Sequence, residues 1–356
     1  MRVILALKVR NEADIIEANL RYHLAMGVDG FVITDNESTD GTREILATYE
    51  ESGLAVIYDE RAEDFWSQAH AWVTRMARTA GEELEADWVL HADADEFWAP
   101  AAPTIKAALA SVPERYDVVL APRPEYIPQP DGPGAFHERM TVRERYSRLR
   151  PKVAHRAIAG VSLHQGAHDV DVQGRSERPI VRSQPRNVRY SGRDTFAGQG
   201  ALVWAPCWPA RVMHFPVRSF EQYTRRVETL LFRGDPPRTK ARRQLMRRYT
   251  HGRLDKSYAR LMLAEHQLER RIADGRLVVD ERIRDALTEP SGDGTPGWSE
   301  AEDLAEIEFD AMQSLARSQR TLIRRLDRAQ KGGPGRKARV ENGGLRRRLA
   351  RRVRSR

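Results

Sequence analysis

The residues with the most chemical potential in this chain are the acids of His91-Ala92-Asp93-Ala94-Asp95-Glu96, which end the apolar run Trp88-Val89-Leu90. On an extended chain, carboxylates two positions apart point to one side, so Asp93 and Asp95 are placed to face one ligand. Acids this close repel one another unless a cation or a basic partner compensates them. Oxygen donors favour Mg2+ or Mn2+ over softer metals, and Mg2+ usually touches substrate phosphates as well. The same letters also suit a cap for a helix opening near Pro103, so the run by itself leaves both uses open. A second polar run, Asp35-Asn36-Glu37-Ser38-Thr39-Asp40-Gly41-Thr42, follows the apolar Gly30-Phe31-Val32-Ile33-Thr34. There a carboxylate can accept a bond from a base or ribose, a helix start offers amide donors, and Gly41 permits a tight entry. A capped strand-to-helix turn accounts for that run equally well.

Both runs need strands to hold them. The apolar stretch at residues 3–9 is near-continuous, as in a strand covered on both faces. Periodicity then predicts a helix over 11–25, a strand over 30–34, a helix over 43–49 and a strand over 54–58. A long helix over 65–84, a strand over 88–92, a helix from Pro103 and a strand over 116–120 complete the first third. This alternation predicts an α/β fold, a Rossmann-type, mostly parallel sheet with flanking helices, followed by a C-terminal helical extension. In such sheets ligands bind outside the carboxyl ends of the strands, where both polar runs fall. From Pro122 to Pro209 the chain becomes irregular, with short strands expected over 141–146 and 152–158. From Arg218 it reads as charged helices over 221–232, 239–274 and 300–328. The expected organisation is a domain over 1–216, with a ligand-binding half at 1–120 and a second half at 121–216, a helical region at 217–330 and a basic tail at 331–356.

Bulk properties narrow the function classes. The net charge of +8 comes from the tail, where eleven Lys or Arg against Glu341 give +10, leaving the other 330 residues at −2. The body is therefore nearly neutral, and specific nucleic-acid recognition is not expected of it. The tail suits peripheral contact with an anionic membrane or another polyanion. The one cysteine, Cys207, excludes an intramolecular disulfide and a cysteine-rich zinc site, which fits a reducing cytoplasmic setting. No apolar run approaches the ~20 residues of a membrane span. The opening segment reads as a first strand rather than a signal peptide, which places the chain in the cytoplasm or at the inner face of the membrane.

Taken together, the motifs are similar to those of glycosyltransferase family 2, of the GT-A fold, in a divergent bacterial-type branch. The likeness rests on Lys8-Val9-Arg10-Asn11-Glu12 after the first strand, on Asp35 to Thr42, and on Asp87 to Phe97 with its D-x-D strand end. The resemblance implies transfer of a sugar from a nucleotide-diphosphate sugar to an acceptor hydroxyl, with inversion, assisted by Mn2+ or Mg2+. It implies that Asp35 contacts the base, with Asn36 beside it, and that Lys8, Arg10 and Asn11 line the same pocket. Asp93 would lie near the ribose and cation, and Asp95 would be the main metal ligand. A late histidine often completes such a cation site, and His214 is the first choice here, with His168 the second. The segment Leu7 to Asn11 departs from the family's usual Thr or Pro before a Tyr or Arg and Asn, which leaves base preference open.

Inversion requires a general base across the sugar from the departing diphosphate. Glu125, Glu138 and Asp169 are the candidates, and Glu125 occupies a rim position after the fifth strand. Other readings remain. A metal-dependent phosphohydrolase would place its acidic pair after the first strand rather than the fourth. A nucleotidyltransferase needs a Gly-rich basic loop after strand one, and Lys8 to Glu12 holds no glycine. A non-catalytic carbohydrate-binding protein is the third.

Overall fold

The computed structural model describes residues 1–61, 65–112, 117–145, 147, 149, 151–164, 167–172, 188–191, 210–232 and 240–288. The helix expected over 300–328 and the basic tail lie outside these residues.

The first half alternates as its apolar periodicity predicts. Strand β1 (Val3–Val9) leads to helix α1 (Ile16–Ala25), β2 (Gly30–Asp35) to α2 (Thr42–Glu51), and β3 (Ala55–Asp59) to α3 (Phe65–Glu82). Then follow β4 (Trp88–Asp93), β5 (Glu96–Pro100), α4 (Ile105–Ala110), β6 (Val118–Ala121), α5 (Phe136–Arg139), β7 (Val142–Glu144) and β8 (Lys152–Arg156). The main sheet has the order β3-β2-β1-β4-β8-β6. Strands β1 to β4 pair in parallel, and β8 runs antiparallel to both β4 and β6. Sheet order reverses between β1 and β4, so the carboxyl ends of these two strands flank the topological switch point. The sheet has the mostly parallel, helix-flanked architecture of the GT-A type.

Burial explains the strand sequences. Val3, Leu5, Leu7, Phe31, Ile33, Trp88 and Leu90 belong to one apolar layer, while Ile4, Ala6, Val32 and Val89 pack with α3 on the other face. A strand buried on both sides has no polar face to show, hence the unbroken apolar runs.

The second half is built from short pieces. Strands β9 (Val161–His164), β10 (Asp169–Val172) and β11 (Val188–Ser191) form a three-stranded antiparallel sheet. Strand β12 (Ala210–His214) pairs antiparallel with β5, placing His214 opposite Glu96. Helices α6 (Phe220–Phe232), α7 (Lys240–Thr250), α8 (Asp255–Ala259) and α9 (Glu265–Ala273) follow, then β13 (Leu277–Val279) and α10 (Arg282–Thr288). The expected continuous helix over 239–274 is thus three helices, with a left-handed Gly252 in the first break. Strand β13 returns to pair with β7, and Tyr126 donates from its hydroxyl to the Asp280 carbonyl, so the C-terminal segment is stitched into the body. Among the described residues, no helix is long and apolar enough to cross a membrane.

Candidate active site

The acidic run divides its carboxylates between two environments. Asp93 closes β4, Ala94 and Asp95 form a tight turn, and Glu96 opens β5. Strand alternation stops at that turn, so Asp93 and Asp95 do not share partners as an extended chain would require. Lys8 approaches Asp93 at 3.0 Å from the facing position on β1, and Lys152 approaches it at 2.8 Å from β8. Lys152 also reaches Glu96 at 2.9 Å, and Arg123 reaches the other Glu96 oxygen at 2.5 Å. Glu96 in addition accepts from the Asp93 amide at 2.7 Å. Desolvation alone would raise the Asp93 carboxyl, but Lys152 and Lys8 outweigh it and hold the group well below the usual carboxylate range. Burial would likewise strip Lys152 of its proton, and Asp93 and Glu96 reverse that, leaving its ammonium more basic than usual.

Asp95 faces the other way. Its Oδ2 lies 3.3 Å from His214 Nε2 and 3.3 Å from Arg226 on α6. Opposite that ring, His214 Nδ1 lies 3.3 Å from Glu125. Burial would lower the imidazole, but Asp95 and then Glu125 raise it to about 9. Asp95 shows the reciprocal effect: burial raises its carboxyl, while His214, Arg226 and Arg218 bring it below the ordinary range. The contact with His214 also lowers Glu125, whose side chain remains 34% exposed.

Helix α1 positions this turn. Asn19, fully buried, donates from Nδ2 to the carbonyls of Ala94 (3.0 Å) and Glu96 (2.8 Å). One turn on, His23 Nδ1 donates to the Asn19 carbonyl at 2.8 Å, leaving Nε2 to accept from the Trp98 amide at 3.0 Å. Trp98 is buried and donates its indole N–H to the His91 carbonyl, so it packs behind the turn. Asn19 and His23 escaped the sequence reading because polar residues on a surface helix look solvated. Their spacing of four, on the face that carries Ile16 and Leu20, was the available signal.

The Asp35–Thr42 turn is spent largely on joining two loops. Asp35 accepts from the amide and hydroxyl of Ser38, and Ser38 Oγ accepts from the Asn11 amide at 2.9 Å. Asn11 Oδ1 accepts from the Thr39 amide at 2.7 Å, with Asn11 itself in the left-handed region. Asp40 accepts from the Ala13 amide and from Thr42, and Thr42 Oγ1 accepts from the Glu12 amide. Arg10 donates to the Asn36 carbonyl at 2.8 Å. Burial of Asp35 raises its carboxyl despite the two Ser38 bonds. Lys8, Arg10, Asn11, Asp35, Asn36 and Asp93 therefore lie along the carboxyl ends of β1, β2 and β4, on one side of the sheet.

The remaining candidates are dispersed. His168 Nδ1 donates to the Pro151 carbonyl at 2.8 Å, and its Nε2 lies 3.4 Å from Arg123; burial, Lys152 and Arg123 push it down to about 2. It stands behind Glu96, outside the group that holds His214. Glu138 is exposed and accepts from the Ala135 amide, bracing the start of α5. Asp169 pairs with His164 in the β9–β10 register, and its side chain lies outside the described residues.

Asp95, Glu96 and His214 offer ligand atoms within 4.8 Å of one another. Both Glu96 oxygens already carry cationic partners, so Asp95 and His214 are the pair best able to exchange theirs. One carboxylate and one imidazole are donors that a divalent cation can use.

A mostly parallel sheet with such a carboxylate turn at its switch point defines an α/β domain whose polar turns gather at the carboxyl ends of β1, β2 and β4. The model of Glycosyl transferase family 2 matches residues 6–167. Comparison with curated proteins gives no match. Among solved structures, S. aureus TarS 1-349 is 20% identical, with 44% of this chain and 47% of that one covered, at a TM-score of 0.31. The mannosyltransferase PcManGT from Pyrobaculum calidifontis, in complex with GDP-Man and Mn2+, is 22% identical over 34% of this chain and 35% of that one, at a TM-score of 0.25. The chain spans about half the length of the TarS structure it matches, at 47%.

Proposed function

We propose that this protein is a glycosyltransferase that moves a sugar from a nucleoside-diphosphate donor to an acceptor hydroxyl with inversion at the anomeric carbon. The observation that carries the reading is the Asp95–His214 pair, 3.3 Å apart: Asp95 lies on the turn after β4, inside the matched span and beside the switch point, and His214 reaches it from the end of β12, beyond that span. The nucleoside would lie across the ends of β1 and β2, with Asp35 and Arg10 at its floor, and the diphosphate would reach the β4–β5 turn. A divalent cation held by Asp95 and His214 would stabilise charge developing on the leaving diphosphate. Lys8 and Lys152 fix Asp93 as an anion, which orients the edge of the turn without drawing on the cation.

Glu125 is the base this arrangement favours. It is ionised, its side chain is 34% exposed, and it sits across His214 from Asp95. An acceptor hydroxyl entering over Glu125 would transfer its proton there as the sugar–phosphate bond breaks. In this reading residues 1–216 carry the transfer chemistry, 217–330 supply a cover through α6, and the tail from 331 serves as an accessory arm for an anionic surface.

The test is a panel of nucleotide sugars with Mn2+ or Mg2+, followed by thermal stabilisation and donor hydrolysis in wild type and Asp95→Ala. The expected result is metal-dependent binding of at least one donor, lost in the variant. Equal, metal-independent binding in both proteins would overturn the proposal.

A further inference from the structure

Three arginines from the start of the C-terminal segment tie down the three turns at the active edge of the sheet. Arg218, 1% exposed, bonds to Glu12 and to Asp14 (2.8 Å) on the turn after β1, and to the Phe215 carbonyl at 3.0 Å. Arg225 reaches Asp40, on the turn after β2, at 3.3 Å. Arg226 reaches Asp95, on the turn after β4, at 3.3 Å, and donates to the Pro216 carbonyl at 2.6 Å. Helix α6 therefore straddles the crevice in which a nucleoside diphosphate would lie.

The three contacts differ in how readily they can be exchanged. Arg218 is enclosed, with every guanidinium nitrogen engaged by Glu12, Asp14 or Phe215. Arg226 has a side chain 49% exposed, and its carboxylate partner is shared with His214. A guanidinium beside Asp95 and a divalent cation on Asp95 repel each other at such range. A diphosphate next to that cation offers the displaced guanidinium a planar, doubly charged partner that suits its fork.

We infer that Arg226 is a donor-diphosphate-binding residue that rests on Asp95 in the free protein and passes to the phosphates when cation and donor enter. Asp95 and Arg226 thus exchange one ion pair for two, carboxylate to cation and guanidinium to phosphate. No covalent step is involved. This inference rests on the donor site proposed above and names the residue through which α6 takes part in it.

The test separates cation from diphosphate. Mn2+ alone, and then UDP, GDP, CDP or dTDP at saturating Mn2+, are titrated calorimetrically into wild type, Arg226→Gln and Arg225→Gln, with urea unfolding as the check on folding. Arg226→Gln should bind Mn2+ alone about threefold to tenfold more tightly, because a competing charge-assisted contact is gone. The same variant should bind the accepted nucleoside diphosphate about tenfold or more weakly, because a phosphate partner is gone. Arg225→Gln should leave Mn2+ affinity near wild type, since its partner is Asp40. Opposite signs for the two ligands are the signature. Both affinities unchanged, or both moved in one direction, would overturn the role of Arg226 while leaving the donor site standing. Failure of the wild type to bind any of the four diphosphates with Mn2+ would overturn the donor site, and the inference with it.

Discussion

Replacing Asn19 by Ala tests whether helix α1 is what shapes the acidic turn. The side chain lies fully buried and donates to the carbonyls on both sides of Asp95, those of Ala94 at 3.0 Å and Glu96 at 2.8 Å. Truncation leaves two buried carbonyls without these donors, each costing about 1–3 kcal/mol in place of a satisfied bond. His23 keeps its backbone bond to Asn19 but loses the nearby Oδ1 at 3.0 Å. The sum is on the order of 3–5 kcal/mol, a large part of the ~5–15 kcal/mol a domain has in total. Urea unfolding should show a lower midpoint at unchanged slope, which identifies lost stability rather than an altered denatured state. Asn19→Asp keeps the size but turns both donors into acceptors facing carbonyls, so it should cost more than Ala. A second readout is Mn2+ affinity, which should fall in Asn19→Ala because the turn that orients Asp95 has lost its grip, although Asp95 itself is intact. A stability change under about 1 kcal/mol together with unchanged Mn2+ affinity would refute the reasoning.

Two further outcomes follow from buried charge. His23 and His155 are held to about 4 by burial, His168 to about 2 by burial with Lys152 and Arg123, and His91 well below its ordinary value by burial and His155. The unfolded chain takes up these protons near pH 6.5 and the folded chain refuses them, so the stability they contribute is full above pH 6.5 and is lost as pH falls toward 4. Each depressed histidine adds a slope of up to about 1.4 kcal/mol per pH unit, and urea midpoints at pH 7, 6 and 5 should fall steeply; a flat profile would contradict it. His214 acts in the opposite sense: raised to about 9, its contribution is full below pH 6.5 and fades as pH climbs through 9. Asp280 is buried against Arg143 at 2.5 Å and bonded to Arg282 at 2.5 Å, joining β13 and α10 to β7. Asp280→Ala should destabilise by about 3–5 kcal/mol by removing the carboxylate that neutralises the buried Arg143 guanidinium, and a thermal midpoint within a degree of wild type would count against that pairing.

The parts legible in the sequence were those governed by local pattern. Apolar runs gave β1, β2 and β4, and polar turns marked their carboxyl ends, because a doubly covered strand and a strand-end turn each have a composition of their own. Strand β5 was missed: Glu-Phe-Trp-Ala-Pro is too short and too uniformly buried to show a period, and its partner β12 lies more than a hundred residues away. Lys152 and Arg218 were missed for a related reason. A lysine in a strand and an arginine before a charged helix look solvated until the acids they neutralise are known. The available signal was the acidic run itself, whose carboxylates require compensation by a metal or by basic side chains. The sequence pointed to the metal, and the fold supplies a lysine or arginine to each of the three acids, with Asp95 alone sharing its arginine, Arg226, with a histidine.

That compensation constrains how a cation can enter. Around the turn stand Asp93, Asp95, Glu96 and Glu125, and against them Lys8, Lys152, Arg123 and Arg226, with a His214 that holds its proton up to about 9. The free site is already balanced, so a divalent cation arriving alone meets no excess of negative charge. It must displace Arg226 and the His214 proton from Asp95. A diphosphate changes the balance, since it supplies the negative charge that accepts Arg226 and accompanies the cation. Cation and donor should therefore bind with mutual reinforcement, each raising the affinity for the other by the same factor, as thermodynamic linkage requires. Two carboxylates aimed at one ion would have bound it first and waited for the donor. On the proposed reading, one carboxylate shared with a histidine and an arginine would make the entry of ion and sugar nucleotide a single event.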